Sequence, residues 1–134
     1  MAFDMILRNA RIAGSAPDTP LMDIAVQGET IAAVEPKLEA EGKEWGMGGR
    51  LVSPGLIETH IHLDKSRIMD RCTAAPDRGT DHMARVSAVK PDFTQEDVYA
   101  RAKETVEQCL VNGATHMRTH VELDPNGGLR GFEA

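Results

Sequence analysis

Two histidines separated by a single residue are the first feature of this sequence that could do chemistry. His60 and His62 stand in the run PGLIETHIHLDK, residues 54–65, and Glu58 lies two residues before the first of them. The aliphatic lead-in predicts a strand, in which residues i and i+2 point to the same face, about 7 Å apart. Two imidazoles on one face can bind one metal ion at nitrogen distances of about 2.0–2.1 Å. Taken alone, the pair also fits two ordinary polar residues on an exposed strand.

A second run of polar residues lies further along the chain, in ATHMRTHVELD, residues 114–124. It predicts another strand, with alternate residues on one face: His116, Arg118, His120 and Glu122. His120 lies near the end of this strand and is a candidate for contact with metal or substrate, or else a buried structural histidine. Asp64 and Lys65 would contact substrate or form a local ion pair. His82 is predicted on a surface helix, without a role.

The segment between these two strands predicts helices. A short helix is expected over residues 80–89 and a longer one over 94–113, after an irregular stretch at 66–79. Thr94 and Asp97 resemble a capping box, and Asn112 with Gly113 form a helix stop. One face of the longer helix carries the apolar set Val98, Ala102, Val106, Cys109 and Leu110. The order strand, helix, strand predicts a parallel βαβ unit within an α/β fold.

Residues 1–52 are predicted to be rich in strands. DMILRNARIA suits a strand pair or a strand and turn, and MDIAVQGETIAAV suits a hairpin that turns at Gly28. The following PKLEAEGKE, residues 36–44, is predicted to be a polar connection.

The overall composition excludes several classes of protein. Among 134 residues, charged residues make up 27% and the net charge is -6, with no basic run that would favour nucleic acid. No apolar run approaches the roughly 20 residues that span a bilayer. Asp4 and Arg8 interrupt the N-terminal apolar stretch, which argues against a signal peptide and predicts a cytoplasmic protein. Cys72 and Cys109 form no CxxC motif and are predicted to be free thiols.

The HIHLD run and the RTHV run, about 55 residues apart, resemble the amidohydrolase superfamily, and within it the cytosine deaminase group. Glu58 stands where many members have aspartate. The resemblance covers residues 1–134 and implies strands of an N-terminal β-sandwich over 1–52. It implies the first two β/α units of a (β/α)8 TIM barrel over 53–134. Since such a barrel takes about 250 residues, the chain is predicted to be a truncated fragment.

The same resemblance implies a function. One divalent ion, zinc or iron, would be held by His60 and His62, and the remaining ligands and the catalytic residues would lie beyond residue 134. The intact enzyme would hydrolyse a C–N bond, by deamination, in a small cytosine-like heterocycle, and this chain alone would be inactive. Alternatives are another amidohydrolase acting on a cyclic amide, or a non-catalytic β-rich assembly module. Uncovered sheet edges predict a homo-oligomer or strand exchange.

Overall fold

The computed structural model describes residues 2–73 and 81–134, which fall into two compact units, Met1–Pro54 and Gly55–Ala134. The observed division lies two residues after the predicted boundary at residue 52. The assignment of these units to a sandwich and a barrel stays a prediction. Of the segment predicted to be irregular, residues 74–79 lie outside the described residues.

The described part of the first unit is a five-stranded sheet in the order β3-β2-β1-β4, with β5 also paired to β1. The strands are β1 (Ala2–Ile12), β2 (Met22–Gln27), β3 (Thr30–Glu35), β4 (Glu41–Gly46) and β5 (Leu51–Val52). The hairpin predicted at Gly28 is confirmed, because β2 and β3 pair antiparallel on either side of it. Ile6, Ala10, Ile24 and Ala25 are the buried apolar residues of this sheet.

DMILRNARIA forms one long strand with an irregularity at Asn9, where the pairing with β2 shifts register. Asn9 has a positive φ of 57°, a conformation that asparagine tolerates better than most residues. The buried carboxylate of Asp23 accepts hydrogen bonds from the backbone N–H of Asn9 (2.9 Å) and of Leu38 (3.1 Å), and Arg8 pairs with it at 2.8 Å. These contacts stabilise the irregular position.

The polar connection predicted over residues 36–44 is wrong in its second half, because β4 begins at Glu41 and runs parallel to β1. All six residues of β4 are exposed. Because neither face of this strand is buried, its sequence shows no alternation of apolar and polar residues. Its place is set by the backbone ladder and by Arg8, whose guanidinium contacts Glu44 and the carbonyl of Ala40. Polar edge strands of this kind are hard to recognise from pattern alone.

The second unit contains two parallel strands, β6 (Leu56–Ile61) and β7 (Ala114–Thr119), so the predicted parallel connection is confirmed. The described helices are α1 (Met69–Thr73), α2 (His82–Val89), α3 (Gln95–Val111) and α4 (Arg130–Glu133), with a 3-10 turn at Lys90–Asp92. Neither α1, inside the segment predicted to be irregular, nor α4 was expected. The second strand is shorter than predicted, since it ends at Thr119 and leaves His120 in the following loop.

Helix α3 has the ends that its sequence predicts. The hydroxyl of Thr94 accepts a hydrogen bond from the backbone N–H of Asp97 at 3.1 Å, which is half of a capping box. The Asp97 carboxylate pairs with Arg71 and Arg101 instead of returning to the cap. At the other end Gly113 adopts φ 93°, the left-handed conformation that glycine favours after a helix. No helix among the described residues is long and apolar enough to cross a membrane.

The buried face of α3 differs from the predicted one. Val98 is 2% exposed and Arg101 is also buried, whereas Leu110 is 58% exposed, so the predicted apolar face is wrong at its C-terminal end. The core of this unit joins Val98 to residues within or directly beside α1, α2 and the 3-10 turn: Ile68, Cys72, Val86 and Phe93. Ile57 on β6 is 67% exposed. Cys72 and Cys109 are free thiols, as predicted.

The packing of Val98 gives a testable expectation for stability. Val98→Ala removes two buried methyl groups and should lower the free energy of unfolding of the second unit by about 1.5–3 kcal/mol. Val111→Ala, at a site 87% exposed on the same helix, should change it by less than about 0.5 kcal/mol. Amide hydrogen exchange within residues 95–111 reports this unit separately from the other. Equal protection in the two variants would contradict the assignment of Val98 to the core.

Candidate metal centre

The parallel pairing of β6 and β7 brings the loops that follow the two strands together. Beyond the last paired residues, the backbone N–H of His120 donates to the carbonyl of Ile61 at 2.8 Å. The N–H of Leu63 donates to the hydroxyl of Thr119 at 3.3 Å. Because parallel strands end at the same edge of a sheet, residues some sixty positions apart in the sequence become neighbours here.

Three imidazoles cluster at this edge. The ring centroid of His60 lies 5.3 Å from that of His62 and 4.1 Å from that of His120, and the last two are 5.7 Å apart. The Nε2 atoms of His60 and His62 approach to 3.3 Å. This separation is shorter than about twice a zinc–nitrogen distance of 2.0–2.1 Å, so both nitrogens can reach one ion. The donor chemistry of the pair therefore fits a divalent transition metal.

Other candidate residues have different surroundings. Glu58 accepts a hydrogen bond from the backbone N–H of His60 at 2.9 Å, which turns its carboxylate toward the backbone of its own strand. His116 lies near the start of β7, where its ring contacts the hydroxyl of Thr115 at 3.1 Å. Within residues 2–73 and 81–134, no group of three or more His, Cys, Asp or Glu side chains is arranged to hold a metal ion.

Asp64 is buried directly behind the histidine pair. Its Oδ2 accepts a hydrogen bond from the backbone N–H of Glu122 at 3.0 Å, which ties the loop after β6 to the loop after β7. Its backbone carbonyl accepts from both terminal nitrogens of the buried Arg101, at 3.3 and 3.2 Å. Its other carboxylate oxygen lies 3.7 Å from Nδ1 of His62.

Lys65 does not pair with its neighbour Asp64 but with Glu122, and this pair belongs to a larger cluster of charges. Lys90 contacts the second oxygen of Glu122 at 2.6 Å and also pairs with Asp124. Hydrogen bonds from Lys65 and then Lys90 lower the pKa of Glu122 to about 2. A hydrogen bond from Lys90 lowers the pKa of Asp124 to about 2 as well. Both carboxylates are therefore ionised at neutral pH.

His120 has the opposite electrostatic surroundings. Partial desolvation of the ring comes first, and electrostatic repulsion by its neighbours His60, His62 and Arg118 follows; both lower the pKa of His120 below its usual value. Its imidazole is therefore mostly neutral at pH 7, with one N–H donor and one acceptor nitrogen.

A cleft of about 290 Å³ opens beside the cluster in the second unit. It is mostly lined by residues of α1, α2 and the loop after β6: His62, Lys65, Arg67, Ile68, Met69, Cys72, His82 and Val86. His82, which was predicted on a surface helix, is the first residue of α2 and lies at this cleft. The volume of the cleft suits a single heterocyclic ring. His62, one of the two histidines of the pair, lines the cleft.

Some residues around the site were not predicted as site residues. Lys90 and Arg101 contact the site across more than thirty residues of sequence, and nothing local marks their partners. The role of Arg101 could have been inferred from the sequence in one way. An arginine next to apolar Ala102 on the buried side of a helix must find hydrogen-bond partners inside the protein. Glu122 was noted in the alternating pattern, but its two lysine partners were not.

The pKa of Glu122 sets a pH dependence. Because the folded-state pKa, about 2, lies below the usual 4.5, its ionised form stabilises the fold above about pH 4.5, and this contribution disappears as pH falls toward 2. Glu122→Gln should therefore lower the free energy of unfolding by on the order of 1–2 kcal/mol at pH 7. Denaturant titrations at pH 7, 4 and 2.5 should show this difference shrinking.

The matched control is Glu104→Gln, which removes a surface ion pair with Arg67 in which the carboxylate side chain is 63% exposed. It should leave stability nearly unchanged at each pH. A Glu122→Gln effect that stays constant down to pH 2.5 would contradict the role given to the two lysines.

Comparison with known proteins places this geometry in a family. N-isopropylammelide isopropyl amidohydrolase from Pseudomonas sp. (strain ADP) is 30% identical over 139 residues, covering 98% of this chain and 34% of the relative. The crystal structure of N-isopropylammelide isopropylaminohydrolase from Burkholderia multivorans matches with a TM-score of 0.74 and 27% identity, covering 97% of this chain and 32% of that one.

A 5-methylcytosine deaminase from Klebsiella pneumoniae, solved with phosphonocytosine, matches with a TM-score of 0.70 and 25% identity over 96% of this chain and 32% of that one. No protein-family model matches the chain. The chain thus spans about a third of the length of the relatives that it matches. These relatives and structural neighbours are hydrolases of C–N bonds. The chain belongs to the amidohydrolase superfamily and corresponds to the N-terminal third of these relatives.

Proposed function

We propose that the protein containing this chain hydrolyses a C–N bond of a small nitrogen heterocycle, and that His60 and His62 hold a divalent metal ion for this reaction. The observation that carries the proposal is the approach of their Nε2 atoms to 3.3 Å beside His120. Zinc or iron suits imidazole ligands. Structural and catalytic zinc sites take three or four protein ligands, so the pair would be completed by groups from further barrel strands.

The fold proposed for this activity is a (β/α)8 barrel, of which β6 and β7 with the helices between them would be the first two units. In such barrels the chemistry takes place at the carboxyl ends of the strands. His60 and the loop residues His62 and His120 lie at that edge of the described sheet. The first unit would supply strands of an accompanying β-sandwich.

The reaction proposed for the site is a deamination. A divalent ion, when bound, lowers the pKa of a water molecule from 15.7 toward about 7 and so supplies a nucleophile at neutral pH. A C–O bond then forms at the ring carbon, the exocyclic C–N bond breaks, and the leaving nitrogen takes up a proton as ammonia or an amine. A cytosine-like ring would thereby become the corresponding cyclic amide.

The chain's own residues would bind and orient the ring. His120, mostly neutral at pH 7, would offer one donor and one acceptor to the edge of a heterocycle. Lys65 lines the cleft and is held by Glu122, so its ammonium is fixed in position near a bound ring. Asp64 was also a candidate for substrate contact, but its burial and its backbone partners suit a different role, argued below.

The first test of this proposal removes one metal-binding nitrogen at a time. His60→Ala and His62→Ala, each made in the intact protein that contains this chain, should lower zinc content and the rate of ammonia release together. We expect a rate loss of at least about 100-fold, because the ion that activates the water is lost with its ligand. Zinc is measured by elemental analysis and turnover with cytosine as substrate.

The matched control is His116→Ala, which removes an exposed imidazole near the opposite end of the same parallel pair. It should retain both metal and activity. Stoichiometric zinc and unchanged rates in the His60 and His62 variants would refute the metal proposal.

A second test concerns a polypeptide limited to residues 1–134. With two metal-binding imidazoles, it should bind zinc weakly and show no deamination above the buffer rate. The measurement is ammonia release from cytosine and 5-methylcytosine, with zinc in excess. Release that is proportional to protein concentration and abolished by His62→Ala would contradict this expectation.

A further inference from the structure

Two buried polar atoms behind the histidine cluster face each other without a bond. Among the described residues, neither Nδ1 of His62 nor Oδ1 of Asp64 has a hydrogen-bond partner. The two atoms lie 3.7 Å apart, and the side chain of Asp64 is only 8% exposed. Leaving a buried donor or acceptor without a hydrogen-bond partner destabilises the fold. A closing movement of well under 1 Å would satisfy both atoms with one hydrogen bond.

Asp64 is fixed in the orientation that this bond needs. Its Oδ2 is engaged by the backbone N–H of Glu122 at 3.0 Å, and its carbonyl is engaged by Arg101. Rotation of the carboxylate away from His62 would break the first of these contacts. On the far side of the same imidazole, Nε2 points toward His60. The ring therefore lies between a fixed carboxylate and the proposed metal position.

From this geometry we propose that Asp64 is a positioning residue, which accepts a hydrogen bond from Nδ1–H of His62 and thereby leaves Nε2 unprotonated and free to bind the ion. The inference rests on the proposed function and deepens it. A neutral imidazole carries one N–H, and the partner of one nitrogen decides which nitrogen carries it. An ionised carboxylate only accepts hydrogen bonds, so Asp64 selects the tautomer with the proton on Nδ1.

A purely structural role for Asp64 would rest on its contact with Glu122 alone. That contact uses one oxygen and explains why the two loops stay together. It does not explain why the second oxygen is buried against an imidazole nitrogen that also lacks a partner. A role in direct contact with substrate would need an accessible carboxylate, which the burial of this side chain does not provide.

The test substitutes an amide for the carboxylate. In Asp64→Asn the side-chain carbonyl can still accept from Glu122, while the NH2 group faces Nδ1 of His62 and favours the opposite tautomer. Zinc affinity of the intact protein that contains this chain, measured by competition with a chromogenic chelator, should fall about 10–100-fold. In the metal-free protein, 15N NMR of the histidine side chains should show His62 protonated on Nδ1 before the substitution and on Nε2 after it.

The matched control is Asp97→Asn, which removes another carboxylate of the same unit, paired with Arg71 and Arg101. It should lower stability without changing zinc affinity or the tautomer of His62. If the Asp64 variant fails to fold, the unmodified protein still decides the matter, since a proton on Nε2 of His62 overturns the inference.

The outcomes separate this inference from the proposed function. If His60→Ala weakens zinc binding while Asp64→Asn changes neither affinity nor tautomer, the positioning role fails and the metal site stands. If His60→Ala leaves zinc affinity unchanged, the metal proposal itself fails. Loss of affinity and a change of tautomer in Asp64→Asn, with neither in Asp97→Asn, supports both.

Discussion

The parallel register between β6 and β7 is the constraint on which the candidate site depends. It aligns Ile61 with Thr119 and continues past the strand ends through the hydrogen bond from His120 to Ile61. Since side chains alternate along a strand, a slip of one residue would turn one set to the opposite face. His60 and His120 would then lie on different sides of the sheet, and the cluster of imidazoles would not form.

Helix α3 connects these strands and also fixes the loop that carries Asp64. A buried guanidinium is tolerated only when its donors are satisfied, and Arg101 meets this condition by bonding the carbonyls of Asp64 and Ser66 and by pairing with Asp97. The ring of Phe93 lies 4.7 Å from the same guanidinium. The helix therefore positions the site through one polar side chain as well as through its apolar face.

Features with a local cause could be predicted from the sequence, and features with a distant cause could not. The ends of α3 could be predicted from its capping residues. The parallel connection could be predicted from the order of strand and helix patterns, and the pairing of His60 with His62 from the two-residue period of a strand. Strand β4 was missed because an exposed edge strand shows no apolar alternation. The position of Lys90 was missed because its partners, Glu122 and Asp124, lie more than thirty residues away.

Charge pattern and backbone pairing act together at this edge of the sheet. Lys65 and Lys90 pair with Glu122 and Asp124, and the pair between Lys65 and Glu122 links the loop after β6 to the loop after β7. The lowered pKa of His120 keeps a positive charge out of the cluster at neutral pH, and a protonated ring there would repel a cation. The pairing of strands thus brings the three imidazoles together, and the ion pair between Lys65 and Glu122 links the loops that carry His62 and His120.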